Sequence, residues 1–176
     1  TTGGGTYKTT RMYFIGSSAE LEDQQGSIRV GTATGTQWDL ENVGSHTVAF
    51  GRDNMVSGST SNINGGFDNT ITGSLSIIGG GRNNTSSANG TVISGGIDNT
   101  TLGLSAVVGG GEKNTSKSDF STICGGKSNI IWGAQSCIGG GLSNNIATTI
   151  AINSVICGGN NNVITNARST ISGGSL

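Results

Sequence analysis

The sequence predicts an all-β fold, a parallel β-solenoid or β-roll of 15-residue coils behind a small N-terminal β cap. Three observations predict it. Glycine pairs recur at a fixed interval, an asparagine follows each pair at a fixed distance, and a β-branched aliphatic residue precedes each pair at a fixed distance.

The pairs are Gly65-Gly66, Gly80-Gly81, Gly95-Gly96, Gly110-Gly111, Gly125-Gly126, Gly140-Gly141, Gly158-Gly159 and Gly173-Gly174, spaced by 15 residues six times and by 18 once. One earlier unit, Phe50-Gly51, keeps the second glycine in phase. Three residues after that glycine stands Asn54, Asn69, Asn84, Asn99, Asn114, Asn129, Asn144 and Asn162. Two residues before the pair stands Val48, Ile63, Ile78, Ile93, Val108, Ile123, Ile138, Ile156 and Ile171, the predicted core column. A small polar column lies four before the pair: Ser61, Ser76, Thr91, Ser121, Ser136, Ser154 and Ser169, broken by His46 and Ala106. A second, weaker aliphatic column follows the asparagine by two: Val56, Ile71, Ile131, Ile146 and Ile164, with Ser86, Thr101 and Ser116 between.

Within a unit the period is two, which places Ser and Ile on one face of a short strand. Gly-Gly-x-x-Asn supplies the residues that tolerate positive φ and reads as a turn, and Gly58, Gly73, Gly103 and Gly133 mark a second one. Each unit is therefore strand, turn, strand, turn. It cannot bury its own isoleucine, so copies must stack, at roughly 4.8 Å per coil. Aligned asparagine side chains then form a hydrogen-bonded ladder. The 18-residue spacing implies a three-residue bulge within "IATTIAIN", residues 146–153.

Residues 1–44 do not fit the repeat and read as an N-terminal cap or adaptor, with residues 45–176 forming about nine repeats. In the cap, "RMYFIG" and "GSIRVGTATG" read as strands, "AELEDQQ" as a charged connection, and Trp38 is one of two tryptophans.

Composition limits what the chain does. It has 176 residues, 33 Gly, no Pro, 11% charged residues and a net charge of −1. Nine scattered Lys and Arg make no basic stripe for nucleic acid or an anionic membrane. No apolar run is long enough to span a bilayer, and no signal peptide is expected at the start.

The phrase in "NTITGSLSIIGGGRNN", residues 69–84, resembles the head repeat of trimeric autotransporter adhesins, the haemagglutinin-like S-x-A-x-G repeat also found in phage and large-virus fibre proteins. The resemblance covers residues 45–174. It implies a left-handed parallel β-roll, three chains side by side, and a place outside the cell, on a cell surface or a virion. This chain departs from that pattern in its 15-residue unit, its Ile where Ala is common, and its doubled Gly. A thin single-chain core also points to association, as a homotrimer or a filament.

No enzyme, cofactor or metal site is expected. "STICGGKSN" resembles a phosphate loop in isolation, but Lys127 shares its column with Phe67, Arg82, Ile97, Glu112 and Leu142. The column Asp53, Asp68, Asn83, Asp98, Lys113, Ser128, Ser143 and Asn161 is too mixed for a calcium ladder. The three cysteines, Cys124, Cys137 and Cys157, show no metal-binding spacing, and the single His46 is remote from them. Asn84, Asn89, Asn99 and Asn114 head N-x-[ST] sequons, acceptors in a glycosylating pathway.

The expected function is a rigid fibre or adhesin segment that presents a binding surface to a host protein or glycan. The candidate recognition loop is Ile146, Ala147, Thr148, Thr149, Ile150, Ala151 and Ile152, because an insertion that does not help the stack is free for binding. Its five apolar residues equally suit packing under the loop. The alternatives are a purely structural filament subunit, and ice binding through Thr70, Thr85, Thr100 and Thr115, a column that then turns to Ile130, Asn145 and Val163.

Overall fold

The computed structural model describes residues 11–15, 27–35 and 42–175. It is a parallel β-solenoid with a repeat of 15 residues, built on two sheets and a third, narrower ladder. The first sheet has eleven strands: Arg11–Ile15, Ser27–Thr32, Val48–Arg52, and eight two-residue strands from Asn62–Ile63 to Thr170–Ile171. All pair in parallel except Arg11–Ile15, which lies antiparallel on Ser27–Thr32. The second sheet has eight two-residue strands, from Met55–Val56 to Val163–Ile164. The third ladder joins single residues, Arg52 to Phe67 to Arg82 and onward to Ser175. The "AELEDQQ" connection and Trp38 lie outside the described residues.

Strands this short persist because each pairs on both sides with an identical neighbour, so cooperativity runs along the stack. The aliphatic columns meet inside: Ile63, Ile78, Ile93, Val108, Ile123, Ile138 and Ile156 from the first sheet, and Val56, Ile71, Ile131, Ile146 and Ile164 from the second. All but Ile164 are fully buried within one chain.

The register corrects one sequence expectation. Ala49, not Val48, stacks on Ile63, and Thr47, not His46, occupies the small polar column above buried Ser27. The reason is local. Val48–Arg52 runs straight through this coil, with one residue between Ala49 and Gly51 where later coils have two, so counting back from the glycine overshoots by one. The parallel ladder also extends below residue 45. Ser27–Thr32 stacks on Val48–Arg52, and Arg29, 1% exposed, stands beneath Ala49 at the foot of the core column. Its Nη2 donates to the Val56 carbonyl at 2.9 Å, and burial lowers the guanidinium to about 10.

The turns agree with expectation in part. The second glycine of each pair takes a positive φ, as at Gly66 (φ 88°), but the other left-handed residue is the one before each ladder asparagine, such as Asp68 (φ 58°) and Asn83 (φ 58°), and not the asparagine itself. The second corner is left-handed at Leu75 (φ 59°), Gly90 (φ 71°) and Phe120 (φ 55°), among others, rather than at Gly58, Gly73, Gly103 or Gly133. Gly73 serves a different need, since a Cβ there would stand 1.9 Å from the Ala88 carbonyl oxygen of the next coil. Gly81 needs both, with φ 90° and 2.1 Å to the Gly96 oxygen.

Candidate functional site

The inward polar columns are consumed by the stack. In a representative rung, Asn99 Nδ2 donates to the Gly95 carbonyl in its own coil (3.1 Å) and the Gly111 carbonyl in the next (2.9 Å). Asn99 Oδ1 accepts the backbone N–H (3.0 Å) and the Nδ2 (3.2 Å) of Asn114. The same pattern recurs from Asn54 to Asn144, so these side chains have no capacity left for a ligand, and Asn162 donates in the same way at the last rung. The serine column works likewise: Ser61 Oγ donates to the Gly73 carbonyl at 3.0 Å and accepts the Ser76 N–H at 3.0 Å. Where serines enter the second aliphatic column they bond across the core, Ser86 to Thr91 and Ser116 to Ser121. At the intervening rung the residue opposite is Ala106, and Thr101 Oγ1 is left buried without a partner.

This accounting decides among the sequons. Asn84, Asn99 and Asn114 are fully buried ladder rungs, and a glycan on any of them is incompatible with the coil. Asn89 alone is exposed, its Oδ1 accepting the Ser74 N–H at 2.8 Å.

The insertion occupies Thr148, Thr149 and Ile150. Ile146 continues the second aliphatic column, Ala151 stacks on Gly133, and Ala151 N–H closes a tight turn on the Thr148 carbonyl at 3.1 Å. Two members of the expected loop, Ile146 and Ala151, are therefore fully buried core residues and not available for recognition. Ala147 is half-buried. What projects is Thr149, Ile150 (68% exposed) and Ile152 (36% exposed), with Thr148 Oγ1 donating to the Thr165 carbonyl at 2.8 Å. Nearby on the same corner of successive coils stand Leu102, Leu104, Phe120 and Trp132, all exposed, with the Lys117 ammonium over the Trp132 ring at 3.6 Å.

Most of the charged residues among those described collect on the third ladder and its neighbouring corner, with Lys117, Asp119 and Arg168 elsewhere. Glu112 bonds Lys127 at 3.0 Å, which holds its carboxyl below the usual range, and Arg52 lies over the Phe67 ring at 4.1 Å. Asp53 is buried and accepts the Thr34 N–H at 2.6 Å, whereas Asp68 and Asn83 are exposed. Among the described residues no group of three His, Cys, Asp or Glu side chains is placed to hold a metal ion.

One juxtaposition escaped the sequence reading. All three cysteines lie on the outer face of the first sheet in three consecutive coils, with Cys124 and Cys157 exposed and Cys137 half-buried between them. Burial pushes the Cys137 thiol up, and a hydrogen bond with Cys124 and the charges of its neighbours add to this. The shared column of Cys124 and Cys157 was visible in the sequence. That Cys137 joins them follows only from its outward position beside Ile138. Comparison with known protein families, with curated proteins and with solved structures returns no match for this chain.

Proposed function

We propose that the chain is a non-enzymatic binding module, a rigid fibre segment of an extracellular, cell-surface or virion-surface assembly that presents its one bulged corner to a host protein or glycan. The observation that supports this reading is an insertion into an otherwise saturated repeat, the only one among the described coils. Thr148, Thr149 and Ile150 add nothing to the aliphatic columns or to the asparagine ladder, yet they expose Ile150 beside Ile152 on a corner that also carries Trp132 and Phe120. A rigid scaffold with one irregular loop is a usual arrangement for recognition.

The test removes residues 148–150 and restores the 15-residue period. The chain and the deletion variant are fluorescently labelled and applied to a glycan array and to intact cells. The reading expects an equally stable solenoid, by circular dichroism and melting, that has lost the binding of the parent. Equal binding by both proteins, or no binding by the parent, refutes it. Loss of stability assigns the bulge to packing.

One observation favours ice binding as a second reading. Thr70, Thr85, Thr100 and Thr115 do pair in register on the second sheet, half-exposed and one per coil. The column ends at Ile130, and Lys117 and Trp132 interrupt the one beside it. Thermal hysteresis of the purified chain tests it directly.

A further inference from the structure

The outer face of the first sheet is a surface of a different kind. Take the seven-residue segments 60–66, 75–81, 90–96, 105–111, 120–126, 135–141 and 153–159, which cross this face in seven stacked coils. None of their residues is charged, in a chain that is 11% charged throughout. The first of these coils carries Asn62 and Asn64, hydrogen-bonded to each other at 2.8 Å, and in the six coils that follow one column is a ridge of Ile77, Val92, Val107, Thr122, Cys137 and Val155. Two residues on, the next outward column is a trough of Gly79, Ser94, Gly109, Cys124, Gly139 and Cys157. Ile77 is 44% exposed, and at the ridge-side corner Leu75 and Phe120 are 66% and 60% exposed.

Beyond the trough runs the first glycine of each pair. At six of the eight pairs its φ lies between 139° and 157°, which by itself calls for glycine. Gly125 and Gly158 are different: a Cβ built on either would meet nothing within 4 Å, and neither takes a left-handed φ. Glycine where neither backbone geometry nor internal space requires it marks a close approach from outside.

We propose that this face docks against the same face of a second copy of the chain, in parallel register, about a two-fold axis along the rod. The repeat makes the face complementary to itself under that operation. A ridge residue at one offset from the buried isoleucine column meets a trough residue at the opposite offset in the same coil. Val107 then seats against the partner's Gly109, and the corner residues Leu75 and Phe120 lie over the partner's bare glycine pairs. Seven coils at ~4.8 Å and seven residues at ~3.3 Å give a patch of about 29 Å by 20 Å. That is on the order of 600 Å2 per copy, at the lower edge of stable interfaces, and its lack of charge is what an interface centre requires. The second sheet offers no equivalent, because Lys117 stands on it, and the third ladder carries Arg52, Arg82, Glu112 and Lys127.

The inference rests on the reading of the chain as a fibre-forming rod, not on what its bulge binds. The three thiols report on it. In the docked pair Cys137 faces the partner's Gly139, one coil step from the partner's Cys124 and Cys157. Sedimentation equilibrium of the reduced chain, up to about 100 µM, is compared with a Gly125→Val/Gly158→Val double variant. A short bis-maleimide is added to the parent, and the cross-linked peptides are identified by mass spectrometry. The expected results are a dimer for the parent, at least tenfold weaker dimerisation for the variant with unchanged circular dichroism and melting, and covalent dimers joined through Cys137 to Cys124 or Cys157. A monomeric parent, a trimer, a variant that dimerises as well as the parent, or a variant that unfolds each overturns it. A parent that binds glycans or cells but stays monomeric removes this inference and leaves the binding-module reading standing.

Discussion

Replacing Asn99 with alanine tests the ladder on which the fold depends. The side chain is fully buried and holds five hydrogen bonds: three donated by its Nδ2, to the Gly95 and Gly111 carbonyls and to Asn84 Oδ1, and two accepted by its Oδ1 from Asn114. The losses are unequal. Gly111 O keeps the Ile97 N–H at 2.9 Å, and Asn114 Nδ2 keeps the Gly110 and Gly126 carbonyls at 2.9 and 2.8 Å. The backbone N–H of Asn114 has no other partner and becomes a buried orphan, costing about 1–3 kcal/mol, and the remaining lost bonds add about 1 kcal/mol each where they are not replaced. The sum is about 3–4 kcal/mol, which for a chain of this size lowers the melting temperature by roughly 10 °C. Asn99→Asp should be worse, since it sets a carboxylate oxygen against two carbonyl oxygens in a buried site. Thermal melting monitored by circular dichroism gives the magnitude, and native-state hydrogen exchange gives the location, with the Asn114 amide losing protection first. A change under about 1 kcal/mol with Asn114 still protected would mean that the ladder follows from the coil geometry and does not sustain it.

Three further outcomes are expected. Thr101→Val removes the orphaned hydroxyl opposite Ala106 at nearly constant volume and should raise stability by about 1 kcal/mol, with Ala106→Ser acting in the same direction by supplying the missing partner; lower melting points for both would place a water at that rung. Ile123→Asp sets an unpaired charge between Val108 and Ile138 and should cost several kcal/mol, opening the neighbouring coils together; an unchanged melt would mean the column does not face the core. Because burial raises the Cys137 thiol, it holds less thiolate than an ordinary cysteine until the pH passes its elevated value, so its alkylation should lag an unstructured cysteine peptide at neutral pH and converge with it only in more alkaline solution; equal rates at neutral pH would show that the site is wet.

How much of this was written in the sequence depends on whether a residue serves the stack or the single coil. The aliphatic columns and the asparagines were legible because each coil repeats the same demand, and one departure in eight is visible against the rest. The first coil was misread by one position because Gly51 keeps its phase while the strand before it does not. The left-handed corners at Leu75 and Phe120 were hidden because such residues pay about 1–2 kcal/mol to adopt that conformation and no local signal announces it. The neighbouring coils impose it through the ladder on either side. Arg29 was read only as part of a strand, since nothing local distinguishes an outward arginine from one closing the foot of a core. In the expected loop, Ile146 and Ala151 looked like the residues around them because an inserted segment and the columns it interrupts share the same small apolar vocabulary.

The direction of the hydrogen bonds has a mechanical consequence. In both sheets, in the third ladder and in the asparagine column, the bonds between coils run along the long axis of the rod rather than across it. Tension applied at the two ends therefore loads the coils one after another. The bonds holding a terminal coil open while those behind it stay closed. Each coil that peels away releases about 50 Å of extended chain in place of its ~4.8 Å step. Under a pull the segment would lengthen in stages of nearly equal size, shedding load at its end while the remaining coils keep their shape.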